Sequence, residues 1–203
     1  MIVLALDTSG EIGSVVVRRD GVDHEELMPE RRRQGTTLGP VSGRVLAAAH
    51  ARASDIQAVA VGIGPGSYTG VRVGVTFAKT LAFTLDVPLV GLSGLMALAD
   101  DARDQGPRVA VMAPGHRSRV YGAVYRTDSL IPELERPIDL WDRDALLAGL
   151  GDITVVGGPE SSPRVHAATL ARLAEAWLDD GRSASDPRAL EPLYLQPSAP
   201  ERK

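Results

Sequence analysis

The sequence of 203 residues contains no cysteine. This absence excludes disulfide bonds, zinc sites built on thiolates, iron–sulfur clusters and a cysteine nucleophile. No stretch approaches the roughly 18 consecutive apolar residues that cross a bilayer. The apolar start, residues 1–6, is short and has no positive leader, so no signal peptide is predicted. We therefore expect a cytoplasmic protein without a membrane span.

Lysine and aromatic residues are also scarce. Of the 22 basic residues only Lys79 and Lys203 are lysines, and aromatic residues make up 4% of the chain. An excess of arginine can indicate RNA binding, but the abundance of alanine and glycine favours the codon bias of a GC-rich genome. The formal net charge of −4 provides no global basic field that would attract nucleic acid or anionic lipid.

The order of predicted elements indicates an α/β fold with two related lobes. Each half of the chain begins with two or three strands and then alternates helices with strands, which is typical of sheets flanked by helices. The predicted strands cover 1–6, 12–18, 22–28, 58–63, 88–92, 108–113, 120–126, 131–140 and 153–156, and the predicted helices cover 36–53, 71–85, 94–102, 143–150 and 165–179. A polar patch at 104–107 separates an N-terminal lobe, residues 1–103, from a smaller C-terminal lobe, residues 104–203, which ends in an extended tail.

A glycine-rich loop between a predicted strand and a predicted helix is the most specific motif. It consists of Gly64, Pro65, Gly66, Ser67, Tyr68, Thr69 and Gly70. A loop in this position can hold phosphate on its backbone N–H groups, but this one fits neither the dinucleotide fingerprint nor the P-loop pattern. The sequence therefore favours a structural turn, with glycines at positive φ and Ser67 or Thr69 as a helix cap, over direct phosphate binding.

Residues for metal or nucleophilic chemistry are few. Asp7 ends the first predicted strand, where it could contact a metal-bound nucleotide, although an Asx-turn is its favoured role. A magnesium–nucleotide site would need a second carboxylate from the other lobe, and the matching segment 112–119, a basic turn interpreted as solvated, has none. The four histidines are widely spaced, and no Gly-x-Ser-x-Gly elbow occurs. The sequence therefore predicts no metal site and no hydrolytic nucleophile.

Two predicted helices carry small, smooth apolar faces, which suit either burial within the chain or contact with a partner. On the first helix, three larger apolar residues recur at helical spacing beside small ones: Leu38, Val41 and Val45 with Gly43, Ala47 and Ala48. The second helix has a similar series: Val71, Val75, Ala78 and Ala82. Spacing alone favours burial within the chain. The preceding run Arg31–Arg33 is interpreted as a solvated loop rather than an RNA contact.

Three segments together resemble the TsaB (YeaZ) family, the dimerisation subunit of the bacterial system that makes threonylcarbamoyladenosine on tRNA. They are Leu4-Ala5-Leu6-Asp7-Thr8-Ser9, the stretch from Ala60 to Gly74 followed by Ala78-Lys79, and Pro88-Leu89-Val90-Gly91-Leu92-Ser93. The central pattern, G-P-G-S-[FY]-T-G-x-R-x-G, runs from Gly64 to Gly74 and includes Arg72. The resemblance weakens beyond Leu98 and returns at 119–121 and 192–195.

The resemblance implies a two-lobed fold of the actin and Hsp70-like (ASKHA, ribonuclease H-like) type. It also implies a non-catalytic subunit that binds a TsaD-type threonylcarbamoyltransferase, with a TsaE-type ATPase as a further partner and tRNA contacted mainly through the complex. No cofactor is expected on this chain alone, and ATP or ADP would bind only in the assembled complex. The docking residues expected on the two helices are Leu38, Val41, Val45, Ala48, Val71, Val75, Ala78 and Ala82.

Two segments depart from the family's pattern, and three other interpretations stay open. Arg33-Gln34-Gly35-Thr36 replaces a His-Ser type entry to the first helix, and Pro114-Gly115-His116-Arg117-Ser118 replaces a turn that carries an acid. A stand-alone nucleotide-binding ATPase or kinase-like protein would need magnesium carboxylates from both lobes. A glycopeptidase-like hydrolase would need a metal or a nucleophile. The helix faces could also pair two copies of the isolated chain as a homodimer.

Overall fold

The chain forms two mixed β-sheets that are built in the same way. The computed structural model describes residues 1–28, 34–115, 119–161 and 163–195. The strands are β1 (Ile2–Asp7), β2 (Gly13–Arg19), β3 (Val22–Met28), β4 (Ala58–Gly62), β5 (Leu89–Leu92), β6 (Arg108–Pro114), β7 (Val120–Arg126), β8 (Glu133–Trp141) and β9 (Thr154–Gly157). The first sheet has the order β3-β2-β1-β4-β5 and the second β8-β7-β6-β9. Each sheet starts as an antiparallel meander and then adds parallel strands beside its first strand.

Five α-helices in the described part of the chain cover these sheets in alternating layers. They are α1 (Gln34–Ala48), α2 (Tyr68–Leu85), α3 (Gly94–Asp101), α4 (Arg143–Leu147) and α5 (Ala167–Asp179). Helices α1 and α2 pack on the outer face of the first sheet, and α4 packs on the outer face of the second. Helices α3 and α5 lie between the two sheets and share one central core with both. The predicted two-lobed α/β class is confirmed by this arrangement.

Strand β1 is buried on both faces, which explains its uninterrupted apolar run. Alternate side chains of a strand point to opposite faces. Val3 and Ala5 therefore enter the central core, whereas Leu4 and Leu6 meet α1 and α2.

Helix α5 crosses from the C-terminal half of the chain onto the first sheet. It packs on β1, β2 and β4, and Arg18 on β2 donates a hydrogen bond of 2.7 Å to Glu175 on α5. The proposed boundary at 103/104 falls in a short 3₁₀ turn, Arg103–Gln105. The division into lobes at that point stays a prediction.

The predicted strands all lie within two residues of the observed ones, and the helix ends differ more. Helix α1 stops at Ala48 rather than at 53 because His50 adopts the left-handed conformation, with φ of 50°. The Ala51 amide then donates to the Leu46 carbonyl over 2.9 Å, which closes the helix as a glycine would in a Schellman motif. A histidine in that role gives no sequence signal.

Among the described residues, no helix is long and apolar enough to cross a membrane. The arginine run 31–33 and the basic turn residues 116–118 lie outside the described residues.

Candidate functional site: the motif loop, the outer helices and the C-terminal strap

The glycine-rich motif packs against the turn that follows β1. Four glycines, each four residues after the last, face this turn: Gly62, Gly66, Gly70 and Gly74. A Cβ atom at Gly62 would overlap the Asp7 carboxylate, and one at Gly70 or Gly74 would overlap Thr8. A Cβ atom at Gly66 would lie 2.6 Å from the Ser9 carbonyl oxygen. These positions therefore require glycine for close packing.

Several polar groups of the loop are engaged within the chain. The Ser67 amide donates to the Ser9 carbonyl over 2.8 Å, and the Val71 amide donates to the Ser67 carbonyl over 2.8 Å. The Ser67 hydroxyl accepts from the Gly70 amide, which confirms Ser67 as the N-cap of α2. The Thr8 hydroxyl donates to the Gly70 carbonyl over 2.6 Å. These bonds make the loop a structural turn, in which Gly64 alone of the loop glycines has a positive φ, 97°.

Asp7 is buried beneath the motif. One carboxylate oxygen, Oδ1, accepts from the Ser9 amide at 2.9 Å and the Ser9 hydroxyl at 2.8 Å, which confirms the predicted Asx-turn. The other, Oδ2, has no hydrogen-bond partner among the described residues. Burial raises the pKa of Asp7 to about 6, against the opposing effect of the Ser9 hydrogen bonds. In the described residues, no group of three acidic or histidine side chains could hold a metal ion.

A cavity of about 470 Å³ lies between the motif loop and the second sheet. The first half of the chain lines it with Ser9, Glu11 and Ser67, and the second half contributes Tyr121 and Arg164. Within the described lining Glu11 is the only carboxylate, and it comes from the same half as Asp7. The described residues therefore do not bring together the two opposed carboxylates that the ATPase interpretation needs.

Most of the predicted docking side chains lie inside the chain's own core. Seven of the eight pack beneath α1 and α2, each 3% exposed or less: Leu38, Val41, Val45, Val71, Val75, Ala78 and Ala82. Ala48 is exposed. A partner cannot reach these seven without opening the core, so any docking on these helices would use their outward faces.

One row along the outward face of α1 is almost free of side chains. It consists of Gly35, Gly39, Gly43 and Ala47, which follow one another at every fourth position, and all are exposed. The neighbouring row on this face, formed by Thr36, Pro40, Arg44 and Ala48, is exposed as well. A Cβ atom at Gly39 or Gly43 would meet nothing within 4 Å. Between α1 and α2 runs a shallow groove of about 480 Å³, formed by Gly35, Leu38, Arg72, Val73, Thr76, Phe77 and Thr80.

The Lys79 side chain and the backbone of Ile63 contact the C-terminal segment 185–195, which we call the strap. The Lys79 ammonium donates to the Leu190 carbonyl at 2.8 Å and to the Arg188 carbonyl at 3.4 Å. The Leu193 amide donates to the Ile63 carbonyl at 2.8 Å, beside the motif loop. Sequence reasoning missed this pairing because the strap's acceptors are backbone carbonyls, which carry no residue signature. The recurrence of the family pattern at 192–195 was the one available signal.

Comparisons with known proteins give a consistent assignment. Residues 29–130 match the family model described as "TsaD: tRNA N6-adenosine threonylcarbamoyltransferase". The chain is 28% identical to the tRNA threonylcarbamoyladenosine biosynthesis protein TsaB of Bacillus subtilis, over all of this chain and 97% of that protein. It is 33% identical to a tRNA N6-adenosine threonylcarbamoyltransferase of Salinibacter ruber, over 74% of this chain and 48% of that protein.

A solved structure agrees with the sequence comparisons. The YeaZ protein from Pseudomonas aeruginosa superposes with a TM-score of 0.84 at 28% identity, covering 96% of this chain and 99% of that one.

Proposed function

The chain belongs to the TsaB (YeaZ) family of threonylcarbamoyladenosine biosynthesis proteins, and we propose that it is the non-catalytic cytoplasmic partner of a TsaD-type threonylcarbamoyltransferase. It would bind that enzyme through the outward faces of α1 and α2. A TsaE-type ATPase would join the assembled complex, and tRNA would be contacted mainly through the complex.

The observation that carries this proposal is the row of small residues on α1. Glycine within a helix costs about 0.5–1 kcal/mol relative to alanine. At Gly43 the isolated chain gains nothing in return, because the space beyond its α-carbon is empty. A second helix could approach this face closely, as small residues permit in helix pairs. A docking surface gives Gly43 a role that the isolated fold does not.

Sequence similarity to TsaD-type threonylcarbamoyltransferases supports the proposed partner. This chain matches the family model named for TsaD and is 33% identical to a threonylcarbamoyltransferase across the aligned region. Two related folds can pair through equivalent faces about an approximate two-fold axis, as identical subunits do. The same argument allows a homodimer of the isolated chain, with the enzyme replacing the second copy.

The non-catalytic role and the absence of nucleotide from the isolated chain are supported by how the motif is used. The Ser67 and Val71 amides and the Thr8 hydroxyl are hydrogen-bonded within the motif and to the turn after β1. Asp7 is covered by Gly62 and is not part of the cavity lining. The Asp7 carboxylate is thus withdrawn from the cavity, and we expect ATP or ADP to bind only in the assembled complex.

Calorimetric titration with the TsaD-type protein of the same organism, together with light scattering of the mixture, tests the proposal. We expect a one-to-one complex that is lost in Gly43→Arg and in Thr76→Arg, both of which change exposed positions. Leu130→Arg is the matched control, since Leu130 is 64% exposed on the loop between β7 and β8, and it should bind as the wild type does.

Failure of the wild-type chain to bind at micromolar concentrations would refute the scaffold role. Melting curves of the isolated chain then distinguish the remaining functions. A rise in Tm with magnesium and ATP would favour the ATPase, and stoichiometric metal in the purified protein would favour the hydrolase.

A further inference from the structure

Two tyrosines from distant parts of the chain meet at the start of α2. The rings of Tyr68 and Tyr194 lie 5.3 Å apart at an interplanar angle of 33°. The Arg72 guanidinium stands 5.3 Å from the centre of the Tyr68 ring and donates a hydrogen bond of 2.6 Å to the Tyr68 hydroxyl. We call these three residues the tyrosine cluster. Both rings remain nearly half exposed, Tyr68 at 48% and Tyr194 at 45%.

The backbone on each side of the cluster is fixed by contacts already described. Tyr68 follows the Ser67 cap at the first position of α2. Tyr194 follows Leu193, whose amide is bonded to Ile63, and the strap before it is held by Lys79. A tyrosine has few rotatable bonds, so a ring held in this way offers contact area at low entropic cost.

The composition of the tyrosine cluster fits a protein partner better than RNA. Tyrosine and arginine are the residues enriched at the energetic centres of protein interfaces. RNA binding would draw on several basic side chains around the aromatic rings. Arg72 is the single cation in contact with these rings among the described residues. The carboxylate of Glu191 also lies close enough to Tyr194 to act on it electrostatically.

The size of the outer helix faces points the same way. Helix α1 has 15 residues and α2 has 18, so their outward faces together cover roughly 500 Å² at 1.5 Å per residue and about 10 Å per helix diameter. A stable interface typically buries about 800 Å² on each partner. Adjoining surface must therefore contribute, and Arg72 belongs both to the groove between α1 and α2 and to the tyrosine cluster.

We infer that the tyrosine cluster anchors the TsaD-type partner, and that the C-terminal strap is thereby part of the docking surface. This inference rests on the proposed function. It assigns a binding role to Tyr194, and it makes docking depend on residues from both halves of the chain.

The test measures Kd for the TsaD-type protein by calorimetry. Tyr68→Ala and Tyr194→Ala should each weaken binding about 30-fold, as expected for interface anchors. Because the two rings touch, the double variant should lose less than the product of the single losses. Tyr194→Phe, which keeps the ring, should stay within about threefold of wild type. Leu134→Ala, at a side chain 50% exposed on β8, serves as the control and should bind normally.

The possible outcomes distinguish a failure of this inference from a failure of the proposed scaffold role. If the wild-type chain binds the enzyme and both alanine variants bind equally well, the tyrosine cluster is not an anchor although the scaffold role stands. If the variants bind the enzyme normally but the complex loses affinity for unmodified tRNA, the cluster is an RNA contact and the inference is overturned. If the wild-type chain does not bind, both fail. Unchanged Tm values for the variants exclude misfolding as the cause of weaker binding.

Discussion

Replacing Gly43 by alanine should stabilise the isolated chain and weaken its complex. Gly43 lies within α1, is exposed, and has nothing within 4 Å of the position that a Cβ atom would occupy. The added methyl group therefore meets no obstacle, and the unfolded chain loses conformational freedom. We expect the free energy of unfolding to rise by about 0.8–1 kcal/mol, which is the helix preference of alanine over glycine.

Gly39, one turn earlier, provides a control for the stability change at Gly43 because the next residue is Pro40, inside α1. The ring of a proline crowds the Cβ atom of the residue before it when that residue is helical. Glycine relieves this crowding, so Gly39→Ala should gain little or nothing although its surroundings are equally empty. The difference in stability between the two variants tests whether the local backbone determines the effect of alanine, and it needs no partner protein.

Thermal and urea unfolding measure the stabilisation of the isolated chain by Gly43→Ala. For a chain of this size the gain at Gly43 corresponds to a rise in Tm of about 2–4 °C. Calorimetric titration measures the affinity of this variant for the TsaD-type protein. A methyl group between closely packed helices should raise Kd about tenfold. A stabilised Gly43→Ala variant that binds with wild-type affinity would show that α1 does not dock through this face. A destabilised variant would show that the space around a Cβ atom at residue 43 is not empty.

Three further substitutions test the motif and the strap. Asp7→Asn should remove a pH-dependent part of the stability: since burial raises the Asp7 pKa from 3.8 to about 6, the wild type should lose up to about 3 kcal/mol relative to the variant as the pH rises from 4 to 7, measured by urea unfolding. A constant difference would contradict this. Gly70→Ala should cost about 2 kcal/mol or more because its methyl group overlaps Thr8, and an unchanged Tm would count against the packing role. Lys79→Met should speed amide hydrogen exchange in residues 185–195 by freeing the strap, and unaltered exchange would argue that Leu193 suffices.

The positions of the strands were predictable because buried strands appear in the sequence as runs of apolar residues. The apolar run at residues 1–6 marked β1, and Val22–Met28 forms β3 as predicted. The cap of α2 was also predictable, because Ser67 supplies it. Where a helix ends on a left-handed histidine, as at His50, composition carries no such signal.

The docking residues were less predictable, because helical spacing shows which side chains share a face but not what covers that face. Val45 and Val75 lie in the core, 3% exposed, as their spacing favoured, and only the family resemblance implied that they dock. The glycine row lies on the open face of α1, and because glycine has no side chain, apolar periodicity does not detect it. The strap escaped prediction for a related reason, since Lys79 recognises carbonyl oxygens that any sequence would offer.

Two series of glycines illustrate what a sequence leaves undetermined. Gly62, Gly66, Gly70 and Gly74 recur every four residues, and so do Gly35, Gly39 and Gly43. In the first series an added Cβ atom would strike the turn after β1, whereas at Gly39 and Gly43 it would enter empty space. Equal spacing thus occurs in opposite surroundings, against the turn after β1 in the first series and in open space at Gly39 and Gly43. Alanine should therefore destabilise the isolated chain at Gly70 and stabilise it at Gly43, and that difference in sign separates a glycine required for packing within the chain from one that the isolated fold does not require.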